Sequence, residues 1–86
     1  MIKFSELEVG TYYQPILTPL KIVKLEITEV KHGIESYYYK YENDSGEIVE
    51  GVAGTYTMNH NVCLFKDRDD AKEFLRGLVT MKLNVL

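Results

Sequence analysis

The chain has 86 residues, a formal net charge of −3, and 45% apolar against 27% charged residues. That length supports one domain with a single modest core, and that balance belongs to a folded chain and not to a disordered one. No apolar run reaches membrane-spanning length, MIKFSELEVG carries no apolar leader segment, and the lone Cys63 excludes an internal disulfide framework. The reading is one cytoplasmic domain over residues 1–86.

In chain order, Ser5-Glu6-Leu7-Glu8 matches a capping box, which predicts one short helical turn before Gly10. Phe4, Leu7 and Val9 would then seal one end of the core. Thr11–Gln14 is β-prone, and Pro15 confines it to a sheet edge or a strand end. PILTPL, residues 15–20, holds both prolines and predicts an extended connection.

Residues 22–31, IVKLEITEVK, alternate Val23, Leu25 and Ile27 with Lys24, Glu26 and Thr28, the pattern of a strand with one wet face. Val30 breaks the phase, so a bulge or bend is expected near Thr28–Glu29. Gly33 supplies a residue able to take φ > 0 in the following hairpin turn. Glu35–Asn43 is the next strand, and Asn43-Asp44-Ser45-Gly46 the next turn. Glu47–Met58 reads as a long strand bent at Gly51 and Gly54. Asn59-His60-Asn61 is a turn, and Val62–Phe65 a short strand.

Asp67 is the expected N-cap of one helix over about 68–76, with Asp69 and Asp70 at its positive end. Ala71, Phe74, Leu75 and Leu78 form its buried stripe. Gly77 is the expected left-handed cap. Val79, Met81, Leu83 and Val85 alternate with polar residues, which predicts a final strand; a helix running through Gly77 is the alternative.

The expected fold is mainly β with one helix: a small curved antiparallel sheet or small barrel. The bent strand around Thr28–Val30, the "HG" and "NDSG" turns and the helix "DRDDAKEFLRG" resemble SH3-like (Tudor- or KOW-like) barrels, over most of the chain and at the level of elements only. The size and the Tyr-, Lys- and Glu-rich composition also resemble small accessory proteins encoded by bacteriophages.

The chemistry-bearing candidates are few. In ESYYYKYEND, Tyr37, Tyr39 and Tyr41 share one strand face, and Tyr38, Lys40 and Glu42 the other. The first three read mainly as core. Tyr38 reads as exposed, in a patch that Tyr12, Tyr13 and Tyr56 could extend. Glu42, Asp44, Glu47 and Glu50 have no Lys or Arg among residues 42–63, and no basic stripe appears, which argues against phosphate-backbone binding as the main activity. His60 and Cys63 lack the companions of a zinc site or a nucleophilic pair, so neither a metal nor a cofactor is expected. The expected function is non-enzymatic: binding of another protein, or of a second copy, through Tyr38, Lys40, Glu42, Asp44, Glu47 and Glu50. Were the phage likeness to hold, the partner would be a host protein in the host cytoplasm. Stacking of single-stranded nucleic acid on the Tyr37–Tyr41 strand is the alternative.

Overall fold

The period-2 pattern of the first two thirds of the chain folds into consecutive antiparallel strands, and one helix follows. The computed structural model describes residues 1–54 and 61–85, with side chains through residue 80. The elements are β1 (Ile2–Lys3), a 3-10 turn (Phe4–Glu6), β2 (Gly10–Leu17), β3 (Leu20–Lys31), a second 3-10 turn (His32–Ile34), β4 (Ser36–Glu42), β5 (Ile48–Gly54), β6 (Asn61–Val62) and α1 (Arg68–Val85). β2-β3-β4-β5 form a four-stranded meander, and β1 pairs with β6 in a two-stranded ribbon. Among the described residues, β2 and β5 are the outer strands of the meander, and no described pairing closes it into a barrel. No helix of the described residues is long and apolar enough to cross a membrane.

The expected bulge is present. Ile27 pairs with Tyr39 and Glu29 with Tyr38, so Thr28 is the extra residue. The phase shift returns Val30 to the core side, where it packs half-buried opposite Tyr37.

β2 is longer than expected. Its pairing with β3 runs through Pro15, Ile16 and Leu17 to a two-residue turn at Thr18-Pro19, so PILTPL is strand and turn rather than a bare connection. The backbone shows why Pro15 is tolerated. Both the N–H and the C=O of Tyr13 bond to Phe65, away from β3. Backbone directions alternate along a strand, so Pro15 also faces away from β3 and its missing donor falls on the open side.

Two local expectations near the turns fail. Ser5 lies inside the first 3-10 turn, whose N-cap is Lys3 with no side-chain cap; the Glu8 N–H donates instead to the Tyr12 hydroxyl at 3.3 Å. In the β3–β4 connection the positive φ, 51°, belongs to Glu35, not to Gly33. The 3-10 turn keeps Gly33 in an ordinary conformation and leaves the reversal to the residue that follows it.

The β4–β5 turn forms as the sequence indicates. Asn43 Oδ1 accepts from the N–H groups of Ser45 and Glu47 at 3.0 and 2.9 Å. Gly46 has φ 82° and donates to the Asn43 carbonyl. Asn supplies the side-chain acceptor and Gly the left-handed position.

The core lies on one face of the meander. Tyr12, Leu25, Ile27 and Tyr37 from the sheet meet Phe4, Leu7 and Leu64 from the N-terminal segment and the residues after β6. Each such side chain contributes about 1.5–3 kcal/mol on burial. Val9 does not join them: it is 64% exposed, because β2 begins at Gly10 and points it outward.

Asp67 caps α1, its carboxylate accepting from the Asp69 N–H at 2.7 Å. Ala71 and Leu75 are buried and Phe74 and Leu78 half-buried, the expected stripe; Phe74 meets Phe65 with ring centroids 5.3 Å apart. The helix lies mainly against β2. The final strand does not form. The helix continues through Gly77 to Val85, and the Thr80 hydroxyl donates to the Arg76 carbonyl across Gly77. A helix already nucleated extends at little cost, and one internal glycine opposes it by only about 1 kcal/mol. A Cβ at Gly77 would meet nothing within 4 Å. Gly77→Ala is therefore expected to stabilise the fold by about 0.5–1 kcal/mol in urea unfolding. A left-handed cap at this position would give the opposite sign.

A candidate protein-binding face on the β4–β5 hairpin

Register decides what β4 and β5 present. Tyr41, Tyr39 and Tyr37 pair with Val49, Gly51 and Ala53, all on the core side. Tyr38, Lys40 and Glu42 pair with Val52, Glu50 and Ile48 on the outer side.

On the core side the three tyrosines form a chain of rings. Tyr37 and Tyr39 centroids are 6.1 Å apart; Tyr39 and Tyr41 are 6.3 Å apart and nearly parallel. Tyr37 is buried, and burial raises its hydroxyl pKa above the usual 10.0, with Tyr39 and Cys63 adding to the shift. Tyr39 lies over the backbone of Gly51: a Cβ there would meet its hydroxyl at 2.5 Å and Cζ at 2.6 Å. Gly51 is thus required by an overlying ring and not by a close backbone.

On the outer side, Tyr38 is 37% exposed, and the neighbouring Val52 and Ile48 are 59% and 63% exposed. The Lys31 ammonium sits 5.3 Å from the Tyr38 ring centroid and 3.9 Å from Glu29. Lys40 lies between Glu26, at 3.9 Å, and the cross-strand Glu50. Asp44, at the hairpin tip, reaches Lys21 of β3 at 3.4 Å. Such exposed pairs contribute about 0–1 kcal/mol each. They fix orientation more than stability.

The fold therefore brings Tyr38, Lys40, Glu42 and Glu50 onto one face. It sets Asp44 and Glu47 at the turn beside them. The acidic run is less isolated than its sequence, because β3 lays Lys21 and Lys24 alongside it. Sequence reasoning missed Ile48 and Val52. Their signal was available: both share the parity of Glu50, so an exposed Glu50 implies exposed neighbours. Tyr12 does not extend the patch, being almost fully buried, and Tyr13 is half-buried. Tyr56 and His60 lie outside the described residues.

A recess of about 400 Å³ opens where pairing between β3 and β4 ends, at Glu26–Lys40. Lys24, Tyr41 and Glu42 line it. Cys63 is half-buried, and burial raises its thiol pKa above the usual 9.0. That keeps it protonated at neutral pH and a poor nucleophile. Among the described residues no group of three His, Cys, Asp or Glu side chains is placed to hold a metal ion. His32 meets Phe4 edge-on, its ring centroid 5.4 Å away.

Comparisons with protein-family models, with curated proteins and with solved structures give no match to this chain.

Proposed function

We propose that this is a non-enzymatic binding module that takes another protein on the outer face of β4–β5. The observation that carries this reading is one exposed face where Tyr38, Val52 and Ile48 stand among Lys40, Glu42 and Glu50. Aromatic and aliphatic anchors within a polar frame are what protein interfaces use, and tyrosine is a frequent source of their binding energy. The charges around the apolar side chains would select a partner of complementary pattern.

The likeness to SH3-like barrels rests on the antiparallel meander, the bulge at Thr28 and the single helix that follows. With the phage-like size and composition, it makes a host cytoplasmic protein the partner class we propose. The tyrosine strand favours nucleic acid less. Tyr37 is buried and its two neighbours pack against the core, so few ring faces are free for bases.

The test is capture of a partner from cell lysate by the wild type and by Tyr38→Ala and Glu47→Lys. Both substitutions are expected to weaken the same captured protein at least tenfold, and Lys72→Ala on the exposed side of α1 to leave it unchanged. Undiminished capture by both face variants would refute the site. Salt-sensitive binding of single-stranded DNA or RNA near 50 mM salt, with no protein captured, would instead favour the nucleic-acid reading.

A further inference from the structure

The edge of β5 is distinct from its face. Among the described residues β5 is paired on one side only, by β4. The hairpin turn fixes which backbone groups are free. Asn43 N–H donates to the Glu47 carbonyl, so bonded pairs alternate from there: Val49, Gly51 and Ala53 turn their backbone toward β4. Ile48, Glu50, Val52 and Gly54 turn theirs outward. The strand, IVEGVAG, carries one charge in seven residues and no proline. Natural edge strands usually blunt this kind of template with lysine, proline or a bulge.

We propose that β5 pairs antiparallel with β5 of a second copy of this chain, about a two-fold axis at Gly51, to make a continuous eight-stranded sheet. Three features select this partner and register. First, the outward groups of Glu50 bond with those of Val52 of the second copy, and those of Ile48 with Gly54, so all seven residues are used. Second, Gly51 meets Gly51 in a non-bonded pair, the closer of the two antiparallel spacings, where the absent side chains leave room for the two Tyr39 rings lying over them. Third, each Glu50 faces a valine and keeps Lys40 of its own chain beside it. A register centred on Glu50 would set the two carboxylates directly opposite each other, which is unfavourable. A single pair of edges is a small contact, so the dimer is expected in the micromolar range. This inference does not rest on what binds the outer face.

Sedimentation equilibrium of the intact chain from about 5 to 500 µM tests it. The wild type is expected to shift from one to two chain masses. Val52→Pro removes an outward donor without touching the β4 ladder and is expected to abolish the dimer, with circular dichroism reporting the retained fold. Charge separates the register from generic stickiness. Val52→Lys places a cation opposite Glu50 of the second copy twice over, and is expected to tighten the dimer about 2- to 30-fold, at about 0.2–1 kcal/mol per cross-strand pair. Val52→Glu is expected to loosen it by a similar factor. A monomer at every concentration would overturn the proposal. So would a dimer indifferent to Val52→Pro in the folded protein, or one that Val52→Lys weakens as Val52→Glu does.

Discussion

Phe4→Ala is expected to destabilise the fold by about 3–5 kcal/mol, the largest effect of any single substitution considered. Phe4 is fully buried, with its ring centroid 6.5 Å from Tyr37 and 5.4 Å from His32. It shares the core with Leu7, Tyr12, Ile27 and Leu64. The residue sits in a three-residue 3-10 turn without a side-chain cap, so its buried ring, with Leu7 and the two-residue pairing of β1 with β6, holds that segment on the core. A domain of this size has about 5–15 kcal/mol in total, and a small one lies near the lower end. The variant is therefore expected to be partly unfolded at 37 °C. Urea unfolding with an unchanged slope would read the loss. A loss near 1 kcal/mol would show that the N-terminal segment is not the lid of the core.

Gly51→Ala is expected to cost about 1–3 kcal/mol, an unusual price for one methyl group on an outer strand. The methyl would occupy the space now filled by the end of the Tyr39 side chain. That ring is held on both sides, by Tyr37 and by the nearly parallel Tyr41, so it cannot move without breaking a packed row. The loss corresponds to a fall in Tm of about 4–8 °C per kcal/mol. The double-mutant cycle with Tyr39→Ala isolates the cause. With the ring gone, Gly51→Ala is expected to be neutral or stabilising, since alanine suits a strand better than glycine. An equal cost in both backgrounds would mean that the backbone and not the ring requires glycine.

The residues that were legible in the sequence are those whose chemistry acts locally. Val23, Leu25 and Ile27 announce β3, and the misplaced Val30 announces the bulge at Thr28, because a period-2 pattern records its own interruptions. Asn43 and Gly46 define their turn through their own hydrogen bonds and dihedral angles. Residues whose state depends on distant partners were not legible. Pro15 is acceptable in a paired strand only because Phe65 fixes the backbone direction of Tyr13. Val79 and Thr80 carry an alternation that suits a strand, yet the helix started by Asp67 runs through them.

The candidate face was half legible. Alternation divided the tyrosines correctly and left Tyr38 outside. It could not show that Lys31 would cover the ring of Tyr38, or that Lys21 would reach Asp44. Those contacts arise from β3 lying beside β4, and no spacing within the ESYYYKYEND stretch encodes them.

Amide hydrogen exchange, measured on the protein alone and saturated with the partner captured from lysate, tests the binding face most directly. Binding is expected to slow exchange across β4–β5, residues 36–54, and to leave α1 and β2 unchanged. Protection confined to α1 or β2, with β4–β5 exchanging as in the free protein, would contradict the account.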